Sequence, residues 1–110
     1  MSRLPEDPEG FIRANTALET PAMVPEFRLW LASEYVPIWQ ATEAWLEEQN
    51  VDPPYWAFCW PGGQAVARYL LDNPEVVAGK RVIDFAAGSG VSSMAAARCG
   101  AASVVANDID

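Results

Sequence analysis

The fold of this 110-residue chain is decided by the stretch Val82-Ile83-Asp84-Phe85-Ala86-Ala87-Gly88-Ser89-Gly90. It begins with β-branched and aromatic residues, which favour a strand, and it ends in a glycine-rich turn. Residues 91–98 are mostly small and predict a helix that Gly100 ends. Residues 103–107 predict a second strand. Because a helix connects the two strands, we expect a βαβ unit with a parallel strand pair.

Four residues of this unit are predicted to bind a ligand, namely Asp84, Gly88, Gly90 and Asp108. Parallel strands place their ligand at the carboxyl ends, where all four converge. Glycine lets the backbone approach a ligand closely, and the helix that opens near Gly90 offers free N–H groups to carboxylate-like atoms. The Asp108 carboxylate suits a ribose diol, which donates two hydrogen bonds. Asp84 suits a ligand ammonium group, either directly or through water.

The glycine turn differs from the dinucleotide-binding fingerprint at one position. That fingerprint has a third glycine, where this chain has Ser93. Asp84 lies four residues before Gly88, and Asp108 lies eighteen residues after Gly90, which strengthens the interpretation as a cofactor site. The plainer alternative is a βαβ unit with a glycine turn and two surface aspartates. A further alternative makes the two carboxylates a general acid–base pair, but acids at strand ends beside a glycine turn are more often ligand holders.

The segment before this unit is unusually aromatic. Four aromatic residues lie between Tyr55 and Trp60, and turn-forming residues flank them. A hydrophobic loop or short strand of this kind must be covered by protein, ligand or partner. One hypothesis makes Trp60-Pro61-Gly62-Gly63-Gln64 a wall over a cofactor, with Gln64 supplying a hydrogen bond. The other makes the segment a packing hub. Packing is favoured for the aromatics as a group, and both hypotheses stay open for Trp60.

The remaining residues predict helices. Pro25 is expected to open a short helix over 26–31. A clearer helix is expected over 38–49, where apolar residues follow a three–four step. A third helix is expected over 64–73, with its inward-facing residues being Ala65, Tyr69 and Leu70.

Composition excludes several classes of function. Fifteen acidic and seven basic residues give a formal charge of −8, which argues against binding to a nucleic-acid backbone. The chain has no histidine, so Ser–His and Cys–His catalysis are excluded within it. Cys59 and Cys99 are too few for a structural zinc site, no metal is expected, and both are expected to be reduced thiols. The apolar runs are too short to span a bilayer, and no targeting segment precedes them, so a cytoplasmic location away from membranes is expected.

The chain resembles class I S-adenosylmethionine (SAM) dependent methyltransferases. The stretch from Val82 to Gly90 is similar to motif I of that fold, and Asn107-Asp108-Ile109-Asp110 is similar to its second-strand acidic motif. Three earlier segments resemble a bacterial group that is related to the electron transfer flavoprotein beta-subunit lysine methyltransferase and is often labelled a predicted nicotinamide N-methyltransferase. These segments are Phe11-Ile12-Arg13-Ala14-Asn15-Thr16, Val24-Pro25-Glu26-Phe27-Arg28-Leu29-Trp30-Leu31-Ala32 and Pro53-Pro54-Tyr55-Trp56-Ala57-Phe58-Cys59-Trp60-Pro61-Gly62-Gly63-Gln64.

The resemblance implies a fold and an activity. The fold is α/β, with a helical lead-in over 1–52 and the start of a SAM-binding domain over 53–110. That domain would hold the first βαβ of a Rossmann-like, seven-stranded sheet. The implied activity is methyl transfer from SAM to a protein lysine, with the electron transfer flavoprotein beta subunit as the expected protein partner. The implied cofactor residues are Asp84, Gly88, Gly90, Asp108, Trp60 and Gln64.

The chain departs from the family in its extent, since it ends after the second predicted strand. We therefore expect a fragment or a truncated product without useful turnover, and no catalytic residue is named. Asp52-Pro53-Pro54-Tyr55 has the spelling of the family's Asp-x-x-Tyr motif but precedes motif I, so it is read as a coincidence. Three alternatives stay open. The first is a methyltransferase that acts on nicotinamide or another small molecule, and the second is half of an NAD-binding oxidoreductase domain. The third is a truncated non-catalytic chain that binds a partner, or associates with itself, through its exposed sheet edge and its aromatic segment.

Overall fold

A computed structural model describes residues 6–32, 43–48 and 54–109 of the chain. These residues form a mixed α/β structure with two separate two-stranded sheets. Short 3₁₀ turns occur at Tyr55–Ala57 and Pro74–Val76. In chain order the helices and strands are α1 (Pro8–Asn15), β1 (Ala17–Glu19), β2 (Leu29–Leu31), α2 (Glu43–Glu48), α3 (Pro61–Asp72), β3 (Arg81–Phe85), α4 (Val91–Arg98) and β4 (Ser103–Asn107).

The predicted βαβ unit is confirmed. Strands β3 and β4 pair in parallel, with Val82 opposite Val104 and Phe85 opposite Asn107. Helix α4 connects them and covers the bounds predicted from the small residues. Its C-cap residue is Cys99, whose N–H donates to the carbonyl of Ala95 over 3.0 Å. The carboxyl ends of both strands therefore lie at one edge of the sheet, as the sequence predicted.

The main core lies between this sheet and helices α3 and α4. Helix α4 contributes three buried residues, Val91, Ala95 and Ala96, and α3 contributes Ala67 and Leu70. The alanines let the helices approach closely because they leave little side chain between the two backbones. Val82 and Val104 pack onto this cluster from the sheet. The packing fixes α4 against β3 and β4, and so it fixes the turn that joins β3 to α4.

The N-terminal residues form a helix and a hairpin. Asp7 caps α1, because its carboxylate accepts a hydrogen bond from the Gly10 N–H over 3.0 Å. Strands β1 and β2 then pair antiparallel, with Leu18 opposite Trp30. The Arg13 guanidinium lies 5.3 Å from the centre of the Trp30 ring, which joins the helix to the hairpin.

The hairpin corrects one prediction, because the helix expected over 26–31 is wrong. Leu29 and Leu31 are buried while Trp30 between them is half-buried, and this alternation is the two-residue period of a strand. Backbone pairing with β1 decides the outcome, and that pairing depends on residues ten or more positions away. The lead-in is therefore not built from helices alone.

Helix α3 begins earlier than predicted and turns a different face inward. It starts at Pro61, whose fixed φ suits the first position of a helix. Leu70 is buried as expected, but Ala65 and Tyr69 are exposed, so their inward placement is wrong. The reason is that α4 packs along the face that carries Ala67 and Leu70, which lies nearly on the opposite side of the helix from Ala65. Tyr69 remains 57% exposed.

The helix predicted over 38–49 is confirmed only where the structure describes it, at Glu43–Glu48. Its other residues, and the proposed domain boundary near residue 52, lie outside the described residues. Within the described ranges, no helix combines the length and apolarity that crossing a bilayer requires.

Candidate functional site

The turn after β3 is built by hydrogen bonds to its own backbone and to β4. The Ala87 N–H donates to the carbonyl of Asn107 over 2.9 Å, and the Gly90 N–H donates to the carbonyl of Ala87 over 2.9 Å. Gly88 and Gly90 have φ of 57° and 83°, in the left-handed region that glycine adopts without strain. This conformation lets the chain reverse tightly into α4. We call residues 86–90 the glycine loop.

Asp108 closes the glycine loop from the other strand. Its Oδ2 accepts a hydrogen bond from the Gly88 N–H over 2.7 Å. A bond between an N–H and a carboxylate is stronger than a neutral one, so it ties the loop to the end of β4. The structure thus brings together three predicted site residues, since Gly88, Gly90 and Asp108 share one edge of the sheet.

Asp84 lies at the same edge and is held by α4. Its Oδ2 accepts a hydrogen bond from the Ser93 hydroxyl over 2.6 Å. Asp84 lies on the same face of β3 as Val82, because side chains alternate along a strand. That face packs against the helices, so the carboxylate is half-buried next to the first turn of α4.

The start of α4 offers hydrogen-bond donors to the same region. Its N-cap residue is Gly90, which has no side chain with which to cap the helix. The N–H groups of the first turn therefore keep the donor capacity that a capping side chain would use. Together with the partial positive charge of the helix start, they suit a carboxylate or another anionic group.

The aromatic segment lies against the glycine loop. The Ser92 hydroxyl donates to the carbonyl of Gly63 over 3.2 Å, and the Ser89 side chain lies close enough to Cys59 to affect the pKa of its thiol. Burial raises the pKa of the Cys59 thiol, and the neighbouring Ser89 side chain lowers it by less. The segment that the sequence offered as a wall over a cofactor thus adjoins the predicted site.

Trp60 is placed at this junction with half of its surface open. It is 52% exposed, and its Nε1 donates to the carbonyl of Tyr55 over 3.0 Å. The rings of Phe58 and Trp60 have centroids 5.7 Å apart. The indole is therefore fixed in position while one part of its ring remains accessible. Its role as a cofactor residue stays a prediction.

Gln64 has a structural role that the sequence did not show. Its Oε1 accepts from the Met23 N–H over 3.1 Å, and its Nε2 donates to the carbonyl of Cys59 over 2.7 Å. One side chain therefore joins the β1–β2 hairpin, the aromatic segment and α3. Its predicted contact with a cofactor stays a prediction beside this packing role.

Arg68 strengthens the same junction one turn further along α3. It donates to the carbonyl of Met23 over 3.3 Å and forms an ion pair with Glu26 at 2.9 Å. The hydrogen bond from Arg68 lowers the pKa of the Glu26 carboxyl. Gln64 and Arg68 thus bind the N–H and the carbonyl of one residue, which fixes the hairpin on α3.

Sequence reasoning missed the serines at the start of α4. The sequence analysis considered Ser93 only because it stands where the dinucleotide fingerprint has its third glycine. It did not predict a role for Ser92. Their hydroxyls hold Asp84 and Gly63, respectively. A polar residue in the first turn of a helix that follows a strand-end acid is the signal that was available. Among the described residues, no group of three or more suitable side chains is placed to hold a metal ion.

Comparison with known proteins shows that the chain is similar to methyltransferases. The ribosomal protein L11 methyltransferase (PrmA) family matches residues 66–110. The chain is 44% identical over 104 residues to the electron transfer flavoprotein beta subunit lysine methyltransferase of Xenopus laevis, covering 94% of this chain and 41% of the relative. These matches confirm the predicted resemblance to methyltransferases.

Two further methyltransferases of the same name extend the similarity. The Danio rerio protein is 46% identical over 107 residues, covering 96% of this chain and 40% of the relative. The Homo sapiens protein is 43% identical over 108 residues, covering 94% of this chain and 40% of the relative. The chain thus spans about two fifths of the length of these methyltransferases. The PrmA match contains Asp84, the glycine loop and Asp108, whereas Trp60 and Gln64 precede it.

Proposed function

We propose that this chain carries the SAM-binding part of a protein-lysine methyltransferase. The observation that carries the proposal is the convergence of Asp84, the glycine loop and Asp108 at one edge of β3 and β4. The residues fit such a ligand in their chemistry. Two carboxylates suit an ammonium group and a ribose diol, and the first-turn amides of α4 suit a carboxylate.

The glycine loop also fits a ligand in its shape. A side chain added at Gly88 or Gly90 meets no other atom within 4 Å, so open space lies beside the backbone there. Asp84 would hold the amino group of SAM, Asp108 its ribose, and Trp60 would cover it. When bound, SAM supplies a methyl group on a positively charged sulfur. The protein's part is to orient this group and to exclude water from it.

The methyl acceptor proposed here is a lysine of the electron transfer flavoprotein beta subunit. It rests on the names of the three similar methyltransferases, which share more than 40% of their aligned residues with this chain. These names favour protein lysine over nicotinamide. The matches also favour a methyltransferase over an oxidoreductase that binds NAD.

We further propose that β3 and β4 begin a larger, Rossmann-like sheet of seven strands, as the family resemblance implies. One face of the pair packs on α3 and α4. The other carries Ile83, Phe85 and Val105, which are 74%, 84% and 56% exposed. Such exposed apolar residues favour burial against another layer of structure. In a three-layer fold, the second layer of helices buries this face of the sheet.

Thermal unfolding with SAM, S-adenosylhomocysteine and NAD tests the proposal. A ligand that binds the folded state raises the melting temperature. We expect SAM and S-adenosylhomocysteine to raise it and NAD to leave it unchanged. Stabilisation by NAD alone would support an oxidoreductase, and no effect of any ligand would support a non-catalytic binding chain. Where the coding sequence extends beyond Asp110, the longer product is assayed for methylation of the beta subunit by mass spectrometry.

A further inference from the structure

Two adjacent serines in the first turn of α4 hold different parts of the candidate site. Ser92 Oγ donates to the carbonyl of Gly63 over 3.2 Å, and so it holds the start of α3. Ser93 Oγ donates to Asp84 Oδ2 over 2.6 Å. The second bond is as short as hydroxyl–carboxylate bonds become when the acceptor is charged. Ser93 therefore acts on the ligand-binding carboxylate, and Ser92 acts on packing.

The Asp84 carboxylate keeps binding capacity after this bond. An ionised carboxylate accepts up to about four hydrogen bonds through its two oxygens. Among the described residues, Oδ1 of Asp84 accepts none, and no Lys or Arg forms an ion pair with it. One oxygen is thus fixed by Ser93 while the other is left for a donor from outside the described chain. A half-buried carboxylate in this state suits a cationic ligand group.

We infer that Ser93 is a positioning residue that orients Asp84 toward the amino group of a ligand with an amino-acid tail. The inference rests on the proposed function. Ser93 takes the position at which the dinucleotide fingerprint has a glycine, chosen there for close packing of helix on strand. The hydroxyl instead bonds to the strand-end acid. The serine thereby makes the site selective for the amino-acid part of the cofactor.

The test compares two ligands that differ in this part alone. S-adenosylhomocysteine has the amino-acid tail, and 5′-methylthioadenosine has the same nucleoside without it. We expect Ser93→Ala to weaken the binding of S-adenosylhomocysteine about tenfold, as is typical when a hydrogen bond to a charged group is disturbed. The dissociation constant of 5′-methylthioadenosine should change less than twofold. Calorimetric titration measures both constants.

Ser92→Ala is the matched control, because it removes a hydroxyl from the same turn without touching Asp84. It should leave the ratio of the two dissociation constants unchanged. Ser93→Thr keeps the hydroxyl and should restore the wild-type ratio. In an Asp84→Asn background, Ser93→Ala should change the dissociation constant of S-adenosylhomocysteine by less than a further twofold, because the two residues act through one contact.

Each outcome decides one of the two claims. Wild-type protein that binds neither ligand overturns the proposed function, and the inference falls with it. Wild-type protein that binds both, with Ser93→Ala weakening both equally or neither, overturns the inference alone. If Ser93→Ala does not fold, the Ser93→Thr and Asp84→Asn variants decide. The positioning role is contradicted if Ser93→Thr loses the preference for S-adenosylhomocysteine over 5′-methylthioadenosine. It is also contradicted if Asp84→Asn keeps that preference.

Discussion

The Gly88 N–H donates a 2.7 Å hydrogen bond to the Asp108 carboxylate across twenty residues of chain. The bond joins the turn after β3 to the end of β4, so the glycine loop is held by both strands. It also makes Asp108 part of the scaffold of the site as well as a candidate ligand residue. The two roles can be separated, because one needs an acceptor oxygen and the other needs a negative charge.

Two substitutions at Asp108 make this separation. Asp108→Ala removes the acceptor and should lower the free energy of unfolding by about 1 kcal/mol, the typical contribution of one hydrogen bond. Asp108→Asn keeps an acceptor oxygen for Gly88 and should retain most of the stability. Both variants should bind SAM at least about tenfold more weakly, because neither offers a charged carboxylate to a ribose diol. Urea denaturation and calorimetric titration measure the two effects, and unchanged SAM affinity in both variants would remove Asp108 from the site.

Alanine at Gly88 or at Gly90 should destabilise the chain. Both have left-handed φ, and a side chain in that region costs about 1–2 kcal/mol per residue. Steric overlap does not contribute, since neither added Cβ meets an atom within 4 Å. Gly62→Ala is the matched control, because its added Cβ also meets open space and it lies in the first turn of α3. It should leave stability unchanged or raise it by up to about 1 kcal/mol in urea denaturation. Equal losses at all three positions would refute the conformational explanation.

The sequence predicted the βαβ unit because its signals are local. β-branched residues mark β3 and β4, small residues mark α4, and Gly90 marks the turn, so each element can be read within ten residues. The candidate site residues Asp84 and Asp108 were predicted to lie together by the rule that parallel strands end at one edge of the sheet.

The hairpin and the side-chain network could not be predicted in the same way. Strand β2 forms because it pairs with β1, and nothing within 26–31 alone distinguishes it from a helix that starts at Pro25. The contact between Cys59 and Ser89 joins residues thirty positions apart. Gln64 bonds to Met23, which is 41 residues away. Such partners are set by tertiary packing, which a single sequence does not reveal.

Gln64 provides a test of the junction between the hairpin and the aromatic segment. Gln64→Met keeps the length of the side chain but loses the bonds to Met23 and Cys59. It should lower the free energy of unfolding by about 1–3 kcal/mol, as expected for two hydrogen bonds. Val66→Met places the same residue on the exposed face of α3 and should change stability by less than about 0.5 kcal/mol. If both variants unfold at the same urea concentration as wild type, Gln64 does not hold the junction.

The Glu26–Arg68 ion pair gives stability a specific dependence on pH. The hydrogen bond from Arg68 lowers the pKa of Glu26 below its ordinary value of 4.5. A folded-state pKa below the unfolded one means that the stabilisation is complete above pH 4.5 and is lost as the pH falls through the lowered value.

Glu26→Gln removes this contribution. The variant should therefore melt below wild type at pH 7, and the difference should close as the pH falls below 4.5. Glu9→Gln is the control, because the Glu9 side chain is 78% exposed in its pair with Arg13 and such pairs contribute little. Melting curves of the three proteins between pH 7 and about pH 3 measure the effect. A gap between Glu26→Gln and wild type that stays constant over this range would show that the charge of Glu26 does not fix the hairpin on α3.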